Sequence, residues 1–351
     1  MSFLYVTNSD SNDVTVIDTK THSVIATVSI GSGLDNPVDV VFTPDGMLAY
    51  VAVSTPQIGF ISVIDTKTHS VIARVTVGLQ PALLTFSPNG KLAYLVNSNS
   101  LNISVIDTKT HSVIATVPVS GSPRDIIFTP DGKLAYIVNS SSEDISVIEA
   151  KTHSVIATVP VGVNPRNIIL ATEGKFAYIV NEGAAQPGNT VSVVDTKTHS
   201  VIATVPTGDL PSDIDFTSDG KFAYVVNAGS NDVTVIDAKT HSVIATIQVI
   251  VQPTIITFNP DGKLAYILNS PDAGNDSISV IDTKTHSVIA NVPVVGNGTG
   301  IVFSSDGKFA YVSASIELSL GNVFVIDTKT HSIIATVQVG MDPRMIAISP
   351  N

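Results

Sequence analysis

Apolar and polar positions along this chain alternate in short runs with a period of two, and no useful stretch carries a helical stripe. The segments "RDIIF" (124–128), "KLAYIVN" (133–139), "DISVIE" (144–149) and "HSVIATVPV" (153–161) are rich in β-branched residues and bounded by turn residues. Each predicts a strand, and we name the four A to D in that order. Between A and B, "TPDGK" supplies Pro to preset φ, Asp to bond the local backbone and Gly for positive φ. Between C and D, "DTKT" or "EAKT" closes a tight polar turn. Two short hairpins place all four strands in one antiparallel sheet.

The unit recurs. His22, His69, His111, His153, His199, His241, His286 and His331 are all the histidines of the chain, at spacings of 47, 42, 42, 46, 42, 45 and 45 residues. A period near 42 with four strands per repeat is the signature of propeller blades. Strand B begins eight times, from "FLYVTN" at Phe3 to "KFAYVSA" at Lys308. The eighth strand A, "PRMIAIS" at Pro343–Ser349, has no B, C or D after it, and the N-terminus begins at B with no A before it. The economical solution is an all-β, eight-bladed β-propeller forming one domain over residues 1–351. Its first blade combines residues 1–30 with 342–351, so that the last strand clasps the first.

The stretches "LYVTN" (4–8), "AYLVN", "AYIVN" and "AYVVN", each followed by a form of "VIDTKTHSVIATV", resemble the YVTN-repeat β-propellers. That resemblance spans nearly the whole chain and implies a propeller fold similar to those of bacterial and archaeal cell-surface proteins, and to lactonase and quinoprotein-type propellers. Eight copies depart from the seven blades common in that family. Fold alone does not imply an activity.

Composition narrows the chemistry. The chain is 44% hydrophobic and 14% charged, which suits half-buried strands rather than disorder. With no Cys and no Trp, it has no disulfide, thiolate metal site, cysteine nucleophile or tryptophan-derived quinone. The start "MSFLYVTNSDSNDV" shows no signal peptide. The apolar run from His241 is broken by Pro253 and reads as two strands rather than a membrane span. The resemblance nevertheless implies an extracellular or cell-surface setting, and a monomer is expected.

Every histidine begins a strand D, the outermost of its blade. Neighbouring histidines should then be roughly 15 Å apart, too far to share a zinc ion. They read as structural, and none is left over to serve as a base or haem ligand elsewhere.

The repeat also exposes its own departures. From histidine to the next turn glycine the interval is 21 residues, except 24 from His22 to Gly46. From that glycine to the next histidine the intervals are 23, 21, 21, 25, 21, 24 and 24. All additions therefore belong to B–C loops or to one D–A connection, on the face opposite the hairpins. Charge follows the same division. Fourteen lysines and fourteen acids occupy the hairpin turns and cancel, leaving four arginines against sixteen acids for the net charge of −12. An acidic loop-bearing face disfavours nucleic acid and suits a protein, glycan or cation.

On this face, at the start of the innermost strand, lie Asp39, Arg124, Asp125, Arg166, Asn167, Asp213, Asp215 and Arg344, the candidate ligand residues of a channel mouth. Such a set suits Ca²⁺ or Mg²⁺ or a polar ligand, and no other cofactor is expected. The lengthened loops carry the candidate partner-binding residues Asp35, Gln57, Phe60, Asp272, Asp276, Ile316, Glu317 and Leu318. The leading expectation is a non-enzymatic binding or structural module displaying this face. The alternative is a lactonase-like hydrolase or lyase using mouth carboxylates and a divalent cation. A third is a scaffold of idealised repeats without an evolved ligand.

Overall fold

In the computed structural model, residues 2–31, 33–171, 173–183, 189–271, 276–317 and 319–350 are described. The regular elements among them are strands, and they pair into eight four-stranded antiparallel sheets. The chain thus has the eight-bladed β-propeller fold expected of it. In blade 1, strands B (Phe3–Asn8), C (Asp13–Asp18) and D (Ser23–Ser29) are joined by the C-terminal strand A, Pro343–Ile348. Leu4 faces Ile348 and Tyr5 faces Ala347 across that clasp. The chain divides into two compact units of four blades each. One comprises Met1–Pro118 with Val294–Asn351 (blades 8, 1, 2 and 3), the other Val119–Pro293 (blades 4 to 7). No helix is long and apolar enough to cross a membrane, which says nothing of spanning by strands.

Strands B and C are buried on both faces, which explains their near-continuous Val, Ile, Ala and Tyr content. All eight strand-B tyrosines are fully buried. A buried phenol needs a hydrogen-bond partner, and five of the repeated histidines supply one, whereas Tyr311 donates to Thr19 O at 3.3 Å. Tyr5 bonds His69 Nδ1 at 2.8 Å, Tyr50 bonds His111 at 2.8 Å, and Tyr178 bonds His241 at 2.7 Å, always from one blade to the next. Tyr136–His199 at 3.0 Å and Tyr224–His286 at 2.6 Å follow the same rule. Each histidine closes the C–D turn with a left-handed backbone, at φ between 49° and 54°. Burial holds His22, His69, His153, His241 and His331 below the usual imidazole value of 6.5. The imidazole is therefore an inter-blade rivet. Sequence reasoning anticipated a structural role but not this partner.

The final Asn of the "YVTN"-type strand is also structural. Asn8, Asn97, Asn139, Asn181, Asn227 and Asn269 are fully buried. Asn8 Nδ2 donates to Asp13 Oδ1 at 2.7 Å and Thr15 Oγ1 at 2.9 Å, locking the loop end of strand B to strand C. Asn139 and Asn227 hold Asp144 and Asp232 in the same way, at 2.8 and 2.6 Å. The D–A connection passes so close that a Cβ on Gly162 would lie 2.6 Å from the Asn181 side chain. Several of the excess acids thus tie the fold together, and the expected acidic surface is smaller than the charge count implies.

Candidate functional site

All eight inner strands A break their pairing with strand B near the start, by a bulge of one residue just after the proline of the clearest copies. A bulge leaves an amide without a ladder partner. In blade 2 the carboxylate of Asp39 takes up this amide and its counterpart in the neighbouring blade. Val40 N donates to Oδ1 at 2.8 Å and Leu84 N of blade 3 to Oδ2 at 2.8 Å. Asp125 accepts Ile126 N at 2.7 Å and, from blade 5, Ile168 N at 2.9 Å. Asp213 accepts Ile214 N at 2.9 Å and, from blade 7, Ile256 N at 2.9 Å. These three aspartates are staples between blades 2 and 3, 4 and 5, and 6 and 7. Met345 holds the same position in blade 1, where Thr7 Oγ1 accepts its amide at 3.0 Å instead.

The staple geometry changes what these residues can do. Both oxygens of Asp39, Asp125 and Asp213 accept backbone amides, so each carboxylate already serves the joining of adjacent blades. Among the described residues no group of three His, Cys, Asp or Glu is disposed to hold a metal.

Asp215 differs. It lies two residues after Asp213 on strand A of blade 6 (Pro211–Phe216), where the other blades carry Val41, Thr85, Ile127, Ile169, Thr257, Val302 and Ala347. Its Oδ1 accepts Phe216 N at 2.8 Å. Burial, aided by the neighbouring charge of Asp213, pushes its carboxyl up to about 7. Burial pushes Asp213 up to about 6, against the amides that favour its charged form and the nearby Arg166. Asn167 Nδ2 donates to Asp213 Oδ1 at 3.1 Å, so Asn167, Asp213 and Asp215 form one connected group. A pair of buried carboxyls with elevated values is suited to proton transfer near neutrality.

The arginines stand at the exposed rim. Arg166 pairs with Glu182 at 3.0 Å, and Asn164 bonds the other oxygen of that carboxylate at 2.9 Å. Arg124 reaches Ser140 Oγ at 3.2 Å. In the other unit, Arg344 bonds Ser9 Oγ at 3.2 Å and pairs with Asp342 at 2.7 Å. Glu182 was not anticipated. Its signal was its place in the lengthened loop of blade 5, where other copies carry Ser or Ala.

The candidate partner loops prove mixed. Gln57 and Glu317 are exposed, while Asp35 and Ile316 are half-buried. Phe60 packs against the core of its blade with the Arg74 guanidinium 4.9 Å from its ring centre, which corrects its reading as a displayed loop residue. Asp276 is buried and accepts Ser270 Oγ at 2.7 Å, so it too is not displayed. Asp272 and Leu318 lie outside the described residues.

Fold and site together define a propeller with an ionisable group set into its inner strands. Comparison with known proteins places it further. The model of the family "Lactonase, 7-bladed beta-propeller" matches residues 107–242 and 149–291, together more than half of the chain. The chain belongs to that family, and departs from its description in having eight blades. The "Cytochrome D1 heme domain" model matches residues 2–126. No curated protein matches in sequence. Among solved structures, the dihydro-heme d1 dehydrogenase NirN is similar with a TM-score of 0.83 and 16% identity, over 98% of this chain and 74% of that one. Hydrazine synthase of Kuenenia stuttgartiensis follows with a TM-score of 0.67 and 21% identity, over 85% and 98%. A functionally unknown protein from Desulfotomaculum acetoxidans DSM 771 has a TM-score of 0.65 and 16% identity, over 99% of each chain.

These matches overturn two expectations. A non-enzymatic display module conflicts with membership of the lactonase family and with the match to a heme d1 domain, both of which point to enzyme-like propellers. The expectation of no cofactor beyond a hard cation conflicts with the same heme d1 match.

Proposed function

We propose that the chain is a hydrolase of cyclic esters, with Asp215 as its proton-transfer group. The observation that carries this reading is a carboxyl raised to about 7 at a position that is apolar or a threonine in every other blade. Family membership supplies the reaction class. In the ionised form, Asp215 takes a proton from water as the oxygen attacks the lactone carbonyl. The ring C–O bond then breaks, and the protonated Asp215 returns that proton to the departing ring oxygen. The product is a hydroxy acid, which releases its proton to solvent. Asn167 holds Asp213, and Asp213 raises Asp215 through its charge, so both are positioning residues.

The test is hydrolysis of simple γ- and δ-lactones followed by pH-stat. Asp215→Asn should lower the rate by about 10²- to 10⁴-fold, the usual contribution of a general acid–base group. Asp10→Asn, exposed in a different blade, should leave it unchanged. Absence of turnover on every lactone, or full activity in Asp215→Asn, would sink this reading.

A second reading, tetrapyrrole binding, is favoured by the heme d1 match over residues 2–126. The residues fit such a group at its edge and not at its iron. Arg124 offers an exposed guanidinium group suited to a carboxylate. No cysteine exists, and every histidine stands in a C–D hairpin, five of them bonded through Nδ1 to tyrosine. No step of the chemistry is therefore assigned to the group. Titration with haemin checks the point. Uptake without the spectrum of imidazole-ligated iron agrees with the fit, and an imidazole-ligated spectrum contradicts the role assigned to the histidines.

A further inference from the structure

Strand A alternates residues packed between blades with residues on the inner wall. In blades 5 and 6, Ile168 and Ile214 are buried, while the residues on either side, Asn167 and Ile169, Asp213 and Asp215, are half-buried. Two bonds set neighbouring strands level. Asn167 Nδ2 reaches Asp213 Oδ1 at 3.1 Å, and Asp125 Oδ2 accepts Ile168 N at 2.9 Å. A step of two residues, about 7 Å along each strand, then brings the next inner-wall residues into one row. In blades 4 to 7 that row is Ile127, Ile169, Asp215 and Thr257, all half-buried. Asp215 therefore has Ile169 beside it and Ile127 beyond, with Thr257 on its other side.

A lactone with its carbonyl at Asp215 lays the rest of its ring and its substituents along this row. On the side of blades 5 and 4 it meets two isoleucines, which offer no donor or acceptor. A hydroxyl facing Ile169 would lose its hydration without replacement. A phosphate would meet the charges of Asp213 and Asp215 with no lysine to offset them, since all fourteen lysines stand in the hairpin turns. An alkyl substituent instead gains from leaving water, by about fourfold in affinity for each methylene buried.

We propose that the inner wall beside Asp215 takes the chain of an alkyl-substituted lactone, with Ile169 and Ile127 as the residues that select it. This assignment names the substrate class of the site and rests on the hydrolase reading of Asp215. Polyhydroxylated and phosphorylated lactones are the classes it rejects. Selection is by apolar contact alone, so it grows with chain length rather than depending on one polar group.

The experiment compares kcat/KM for δ-hexalactone, δ-decalactone and D-glucono-δ-lactone, with uncatalysed hydrolysis subtracted. δ-Decalactone should exceed δ-hexalactone by about tenfold or more, the gain expected when about half of its additional methylenes are buried, and should exceed the gluconolactone as well. Ile169→Asn should bring the two alkyl lactones within about threefold of each other, through KM. A second measurement on the wild type needs no turnover. The lactams 6-pentyl-2-piperidone and D-glucono-δ-lactam, which resist hydrolysis, are titrated into protein with ¹³C-labelled isoleucine methyls. The pentyl lactam should shift the δ-methyl signals of Ile127 and Ile169, and the sugar lactam should not. If the pentyl lactam leaves both signals in place, or if gluconolactone is cleaved as fast as δ-decalactone, the proposal is overturned while Asp215-dependent hydrolysis stands. Full chain preference in Ile169→Asn would overturn it equally. Shifts at both isoleucines without turnover of any lactone would uphold the apolar wall and overturn the hydrolase reading instead.

Discussion

Replacing Asp39 by Ala tests the staple geometry. Asp39 is 3% exposed, and its two oxygens satisfy the amides of Val40 and Leu84 at 2.8 Å each. The substitution orphans two buried donors, a loss of roughly 2–6 kcal/mol at the usual 1–3 per group. It also removes a buried carboxylate whose value is pushed up to about 6 from 3.8, relief worth about 3 kcal/mol at pH 7. The two terms leave a net effect at pH 7 of between about −1 and +3 kcal/mol, and its pH dependence is distinctive. The folded chain binds this proton more readily than the unfolded one. The stability contributed by Asp39 is therefore complete below pH 3.8 and lost as pH rises through about 6. Urea unfolding of wild type and variant at pH 7 and pH 5 should show the cost growing by about 1 kcal/mol on acidification. Asp10→Ala, an exposed control, should stay within about 0.5 kcal/mol at both. A cost that is flat with pH, or that shrinks at pH 5, would refute the assignment of Asp39 as a buried inter-blade clamp.

Two further outcomes follow from the fold. Tyr178→Phe removes the 2.7 Å bond to His241 and should cost about 1 kcal/mol by thermal or urea unfolding, with the His241 resonance shifting in NMR. Removal of residues 343–351 takes away the strand facing Leu4, Tyr5 and Val6. Amide exchange at strand B of blade 1 should then accelerate strongly while strand B of blade 2 (Leu48–Ser54) stays protected, and unchanged protection at Leu4–Val6 would contradict the clasp.

The architecture was legible because the repeat is its own ruler. "IDTKTHSVIATV" fixes where every strand D begins, and the unmatched strand A at Pro343 reveals the clasp. The site was only half legible. Asp39, Asp125 and Asp213 stood out as charged residues at an inner position, but their partners are amides 43 or 45 residues away that a bulge leaves unpaired. Neither a bulge nor an inter-blade amide leaves a mark in side-chain patterning. The same holds for Tyr5 and His69, which are invariant in kind across the blades and so look like isolated features. Counting charges by face likewise treated Asp144 and Asp232 as solvated, whereas buried asparagines hold them. Asp215 was visible as a break in an otherwise uncharged column of residues, yet its elevated value follows from burial, which the sequence does not state.

The central claim is that Asp215 moves the proton in ester hydrolysis, and the pH dependence of kcat/KM on a simple δ-lactone tests it most directly. The account predicts a rate that rises with pH through a limb near 7, the value to which Asp215 is pushed, as its carboxyl ionises to the basic form. In Asp215→Asn that limb should vanish along with most of the rate. A profile without a limb near 7 in the wild type, or the same limb in the variant, would contradict it.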